Sequence, residues 1–410
     1  GHKGEADETL NVYYNDVGTL ECEPDHCTAG LCLSTAWSGD SSGAGDSITT
    51  WLAVLGCQNT AEAMDLVREC PQPTLCWVFA DVDGHIGWQA SGRFPLRSPE
   101  YSGILPIPAW DVANHWHGWV PTDQLPRLYD PPEGYVASAN EDINPPGGPR
   151  LVSQVLPDYR RKRIDERLRS LTSATLTDMQ TLQYDAVSVQ ARELLEVFLP
   201  LLPDGELKDR FANWDCGYTP ESLEATLFQK FYRNVLLEVF GQGIGWRRVL
   251  YLCTRAGFSM MVVTCIDRLL RKDQSLWWQG RDKGELIRIA AAKLSGEVEQ
   301  PWSITNAFKF TNRYFESEFV GRALGMHTQE YPMRGCHATP FQGHLLRAAR
   351  RETTFAPSYH FVTDLGTNEA WTNLPGGPQE SWFSRWYRSD IPRWLAGEYK
   401  RLSLESWEPE

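Results

Sequence analysis

CWVFADVDGHIGWQASG, residues 76–92, alternates aromatic, β-branched and small residues on both sides of Asp81-Val82-Asp83-Gly84. Period-two alternation interrupted by an Asp/Gly turn is the pattern of a β-hairpin. TLNVYY (9–14) and LCLSTAW (31–37) share its composition, so residues 8–100 are read as a strand-rich opening. Outward from it, residues 101–153 are dominated by Pro, Gly and Trp, as in ILPIPAW (104–110), NHWHGWVP (114–121) and YDPPEGYV (129–136). That composition suits a long ordered surface loop, and such loops often border sites.

From 155 to about 325 the pattern turns helical. In LTDMQTLQYDAVSVQARELLEVFLPLL (176–202), Thr177 and Gln180 are spaced as a capping box, and Met179, Leu182, Ala186, Val189 and Leu194 mark one apolar face, read as core. SYHFVTDLGTNEAWTNLPGG (358–377) alternates on both sides of Gly366-Thr367-Asn368, which predicts a returning hairpin. Strands, then helices, then a hairpin give an α+β fold class, with a sheet closed by distant segments. Three regions are expected within one unit: 1–153, β-rich with the loop; 154–330, helical; and 331–410, returning strands and tail.

With 410 residues and 42% apolar content the chain is long enough for a sizeable core. A formal net charge of −14 leaves no basic stripe for a nucleic-acid backbone. The apolar run in GFSMMVVTCI (257–266) falls far short of the roughly 20 residues that span a bilayer, so a soluble protein without membrane partner is expected. Gly1 stands first, which suggests a processed product, a tagged chain or part of a longer one.

Of ten cysteines, Cys22, Cys27, Cys32, Cys57, Cys70 and Cys76 crowd the beginning, while Cys216, Cys253, Cys265 and Cys336 read as small core hydrophobes. Cys22, Cys27 and Cys32 with His26 are candidate zinc ligands, but their spacing lacks the close pairs of a zinc knuckle and favours local disulfides or buried thiols. Asp81 and Asp83 fall on one side of a strand, where calcium ligation and turn formation compete; the turn is the preferred reading. His115 and His117, flanking Trp116, lack a third ligand and read as solvated loop residues. No Gly-rich phosphate loop, His-Glu-x-x-His or Gly-x-Ser-x-Gly is present.

A resemblance adds to this reading. FADVDGHIGWQASGRFPLR (79–97), WHGWVPTDQLPRLYDPPEGYVASAN (116–140), YRRKRIDERL (159–168), NWDCGYTPESLEATLF (213–228), VTDLGTNEAWTNLPGG (362–377) and WLAGEY (394–399) follow one another as in the large subunit of penicillin amidases. The chain resembles that family from about residue 8 to 402. The resemblance implies part of a four-layer αββα N-terminal-nucleophile hydrolase sandwich with a large helical insertion. It also implies a precursor that cuts itself to expose an N-terminal Ser. That Ser attacks an amide carbonyl while its α-amino group, with an ordinary pKa near 8, takes the proton.

In GYVASANEDINPPGG (134–148), the residues by themselves read as a turn ahead of EDINPP, with Asn140 as turn former; the resemblance reverses that preference, since Asn140 matches the family's side-chain donor to the oxyanion. Arg163 in RKRID matches the family's helix arginine that orients the catalytic neighbourhood, and reads otherwise as an ion pair with Asp165 or Glu166. The chemistry requires no cofactor, and the family's structural calcium loses a ligand where its Asp falls near Val152. Cys76 replaces a small polar residue, and PGGPQES (375–381) and SRWY (384–387) depart from the family pattern. The expected partners are a small N-acylated substrate, the small subunit, and the upstream part of the large subunit of the same precursor, which would carry the nucleophile. Periplasmic or extracellular placement follows from the resemblance. An inactive homologue that binds a small molecule is the alternative, and 17 tryptophans with abundant acids admit a glycan-directed protein.

Overall fold

The computed structural model describes residues 9–27, 30–40, 43–254, 259–310, 318–343, 351–353, 356–367 and 369–403. The chain forms two compact units, residues 1–138 with 142–154, and residues 139–141 with 155–410.

In the first unit the quoted hairpin is present. Strand β1 (Leu75–Ala80) pairs antiparallel with β2 (Ile86–Ser91), Ala80 opposite Ile86. Asp81 makes the turn: its Oδ1 accepts the backbone N–H groups of Asp83 at 3.2 Å and His85 at 2.9 Å. Gly84 has φ +93°, a conformation open to glycine at no steric cost. The other Asp81 oxygen accepts the Thr60 N–H at 3.0 Å, so one carboxylate serves both the turn and a helix start. Strand β3 (Arg127–Tyr129) adds to β2, a short strand inside the segment read as loop.

Two helices overturn the wholly strand-like reading of residues 8–100. They are α1 (Gly43–Val54) and α2 (Thr60–Arg68). The β-branched run Ile48-Thr49-Thr50 favours strands only weakly, and helix α2 is set by its ends: Asn59 accepts the Glu62 N–H at 2.9 Å as N-cap. Ala63, Met64 and Val67 are buried. A Cβ on Gly87 of β2 would lie 2.1 Å from the Met64 sulfur, so glycine permits the close approach of helix and strand.

The second unit is mainly helical: α3 (Tyr159–Arg169), α4 (Leu176–Gln183), α5 (Val189–Phe198), α6 (Glu206–Asn213), α7 (Leu223–Phe240), α8 (Trp246–Thr254), α9 (Ser259–Leu270) and α10 (Lys283–Ala292). Helix α7 starts at Ser222, whose side chain accepts the Ala225 N–H, and it is the core. Phe228, Phe231, Tyr232, Val235, Leu236 and Val239 are fully buried, packed with Leu194, Phe198, Phe211, Ile287 and Trp302. Burying aromatic side chains of this size supplies roughly 1.5–3 kcal/mol each.

The capping box sits two residues earlier than the spacing suggests. Thr175 accepts the Asp178 N–H, and Asp178 accepts that of Thr175. The expected apolar stripe is also divided, because α4 ends at Gln183 and Ser188 caps a new helix. Tyr184 and Asp185, read as mid-helix, instead occupy the break.

Returning strands belong to this same unit. Strand β4 (Asn306–Phe308) pairs antiparallel with β5 (Tyr331–Pro332) and parallel with β6 (Arg351–Thr353). Strands β7 (His360–Asp364) and β8 (Glu369–Asn373) form the predicted hairpin, and β9 (Lys400–Ser403) joins β8. Among the described residues each sheet lies within one unit and has two or three strands. The fold is α+β. Cys216 and Cys336 are buried as expected, their thiol pKa values pushed by burial up to about 11 and about 12. Cys265, also expected in the core, is exposed; the Cys253 side chain lies outside the described residues.

Candidate active site

Asn140 lies in the second unit, at a turn with φ +66°. Asparagine visits the left-handed region more readily than other residues with a Cβ. Two consecutive arginines of α3 hold the turn. Arg160 donates from Nη2 to the Ala139 carbonyl at 2.6 Å and to Asn140 Oδ1 at 2.8 Å. Arg161 donates to Glu141 Oε1 at 3.0 Å, while Glu141 Oε2 accepts the Ala139 N–H at 2.6 Å.

A guanidinium only donates, so the Asn140 atom facing it must be the carbonyl oxygen. The amide is thereby oriented: Nδ2, with two N–H donors, points away from Arg160 and has no partner among the described residues. Burial lowers the Arg160 pKa and the nearby Glu141 carboxylate opposes that shift. A positive charge fixed behind a neutral donor suits negative charge that develops on the other side.

Arg160 is positioned by its neighbour. The buried Asp267 of α9 accepts the Tyr159 hydroxyl at 2.9 Å, the Tyr232 hydroxyl at 2.5 Å and the Gln190 amide at 2.7 Å. Arg271 donates to the Tyr159 oxygen at 3.0 Å. The first turn of α3 is thus tied to α5, α7 and α9 through one carboxylate. Burial raises the Asp267 pKa to about 6 against these hydrogen bonds. On the other side, Arg160, Tyr159, Leu156, Pro157, His337 and Ala338 enclose a cavity of about 10 Å³, room for about one water. Burial and the Arg160 charge lower the His337 pKa to about 4, so its ring is neutral near pH 7.

Arg163 has other partners. Its Nε and Nη2 meet the Asp185 carboxylate at 3.0 Å and 2.7 Å, and Nη1 meets Glu166 at 3.2 Å. Glu166 also pairs with Arg192, and Asp185 Oδ1 accepts the Val187 N–H at 3.0 Å in the break between α4 and α5. The ion pair expected with Glu166 is present, whereas Asp165 pairs with Arg161. Sequence reasoning selected Arg163 and missed Arg160. RRKR offers arginines at 160, 161 and 163, and only the phase of the helix start says which one faces Asn140.

Other sequence candidates lie in the first unit. His115 Nε2 is 2.7 Å from the Ala109 carbonyl and His117 Nε2 is 3.3 Å from that of Ala113, so both serve their loop. Near Val152, the Asn144 amide donates to Asp142 Oδ1 and to the Val152 carbonyl, while Asn144 Oδ1 accepts the Leu151 and Val152 N–H groups. These oxygens are engaged by protein donors, and one carboxylate is among them. Cys27 and Cys32 form a disulfide, and Cys22 lies beside it. An apolar cleft of about 410 Å³ is walled by Trp37, Ile48, Trp51 and Pro71 to Pro73.

The profile of the penicillin amidase family matches residues 2–408. The chain belongs to the penicillin amidase family. Family relatives include acyl-homoserine lactone acylase QuiP of Pseudomonas putida, 29% identical over 438 residues, with 96% of this chain and 52% of that protein covered. Penicillin acylase 2 proenzyme of a Pseudomonas species is 27% identical over 338 residues, covering 78% of this chain and 43% of that protein. The chain spans about half the length of the curated relatives it matches. Thermostable penicillin G acylase from Alcaligenes faecalis, in its orthorhombic form, superimposes with a TM-score of 0.71 at 17% identity, over 100% of this chain and 79% of that one. That likeness carries the fold: this is part of a penicillin amidase fold.

Proposed function

We propose that this chain carries the oxyanion-stabilising part of an amidohydrolase that cleaves an N-acyl amide through an acyl-enzyme. The observation that carries the reading is the Arg160 bond to Asn140 Oδ1, which leaves the Asn140 Nδ2 donor turned outward and preorganised. The acylase names of family relatives support the reaction class.

In this reading an N-terminal Ser, supplied by another segment of the precursor, attacks the acyl carbonyl carbon and its α-amino group takes the hydroxyl proton. The carbonyl oxygen becomes negative and accepts a hydrogen bond from Asn140 Nδ2. Collapse expels the amine, which takes the proton from the ammonium group. Water then attacks the ester, the same group acting as base, and releases the carboxylic acid. Asn140 is neutral in the ground state, so its donor strengthens where charge appears. No cofactor enters these steps. The Cys27–Cys32 disulfide supports a periplasmic or extracellular location.

The test is a panel of N-acyl substrates, including penicillins and acyl-homoserine lactones, on the complete processed protein. Acyl release with burst kinetics is expected. Binding without turnover would establish the alternative, an inactive homologue that keeps the pocket.

A further inference from the structure

The antiparallel ladder at the start of the first unit pairs Thr19 with Thr35 and Leu20 with Ser34. The Glu21 N–H continues it by donating to the Leu33 carbonyl at 2.9 Å. Residue numbers across this ladder sum to a constant, so the next facing pair is Cys22 and Cys32. Cys32 is nevertheless bonded to Cys27, their Cα atoms 5.0 Å apart, and the Cys22 sulfur lies 3.9 Å from that of Cys27. All three sulfurs lie within 4.8 Å of one another; Cys22 is exposed and the other two are half-buried. Register, bonding and proximity thus offer every pairing of the three.

We propose that Cys22, Cys27 and Cys32 form a thiol–disulfide exchange site, in which one disulfide and one thiol interconvert by isomerisation. The inference is independent of the amidohydrolase reading. The Cys22 thiolate, its proton given to solvent, attacks Cys27 Sγ. A Cys22–Cys27 bond forms, the Cys27–Cys32 bond breaks, and the electron pair leaves on Cys32, which takes a proton from solvent. Attack on Cys32 Sγ instead gives the cross-strand Cys22–Cys32 bond and releases Cys27. Sulfur oxidation states are conserved overall, so neither oxidant nor reductant is consumed. In the absence of exchange, the spare thiol stays on Cys22.

The short chain segments make this intramolecular. Attack by a sulfur already about 4 Å away needs no diffusional encounter, and loops of only four and nine intervening residues close the Cys22–Cys27 and Cys22–Cys32 rings. Exposure of Cys22 also makes it the point at which an external disulfide of the glutathione type would enter, by forming a mixed disulfide that Cys27 or Cys32 then resolves.

The experiment is rapid alkylation of the native 410-residue chain with N-ethylmaleimide at pH 8, and at intervals thereafter, followed by peptide mapping with fragmentation to locate the label. Label on Cys22 and also on Cys32 or Cys27, in one chain population each, is the expected result. In the single variants Cys32→Ser and Cys27→Ser, mild oxidation should give the Cys22–Cys27 and Cys22–Cys32 disulfides respectively. Label confined to Cys22 in the native chain, with neither alternative disulfide forming in the variants, would overturn the proposal. So would reduced cysteines holding one zinc per chain.

Discussion

Arg160 Nη2 stands 2.8 Å from Asn140 Oδ1 and 2.6 Å from the Ala139 carbonyl, so one guanidinium sets both the backbone and the side chain of the turn. Removing either member should damage the same function. In the complete enzyme Asn140→Ala is expected to lower kcat by about 10² to 10³ with a much smaller change in KM, the usual loss for one oxyanion donor. Arg160→Met should lower kcat in the same sense. The double variant should be little worse than Asn140→Ala, because the arginine acts through the asparagine. Additive losses would mean that Arg160 acts separately.

Arg163 should behave differently. Its bond to Asp185 is among the less exposed ion pairs, at 17% and 9% side-chain exposure. Arg163→Met leaves Asp185 without its bidentate partner, and stability in urea should fall by about 3 kcal/mol. Folded enzyme carrying this change should keep kcat within a few-fold. A hundredfold loss of kcat at unchanged stability would return Arg163 to the reaction site.

Asp267 predicts a pH dependence. Burial raises its pKa from an ordinary 3.8 to about 6, so the folded state favours the protonated form. Its contribution is full below about pH 4 and is lost as pH rises through 6, a change on the order of 3 kcal/mol. Asp267→Asn should therefore flatten the Tm profile between pH 4 and 7, and lower Tm relative to the parent most at the acidic end. An equally steep profile in the variant would assign the dependence to other groups.

The capping box gives a local test. Thr175→Ala should cost about 1 kcal/mol in thermal or urea unfolding, because it strips the Asp178 N–H of its acceptor. Thr177→Ala, in the exposed first turn, should change stability by less than about 0.5 kcal/mol. The reverse order would place the helix start at the later residue.

Local chemistry made much of this molecule readable without coordinates. Asp-Val-Asp-Gly had to turn, the residues around it had to alternate, and the β7–β8 hairpin followed from the same rule, since strand period and turn preference act over a few neighbouring residues. The ordered family motifs made Asn140 conspicuous. Helices α1 and α2 were hidden by β-branched and polar residues whose weak preference yields to an N-cap and to packing on β2. The break at Tyr184 was hidden too, because Asp185 leaves helical geometry in favour of Arg163 and the Val187 N–H, partners that only the folded chain brings together. Choosing between Arg160 and Arg163 required the same information. One turn of helix separates them, and which guanidinium reaches Asn140 depends on where Asp267 anchors Tyr159, 108 residues away in sequence. Composition and spacing determine which groups are available; the tertiary structure determines which are neighbours, because hydrogen bonds and ion pairs act over a few ångströms of space whatever their separation along the chain.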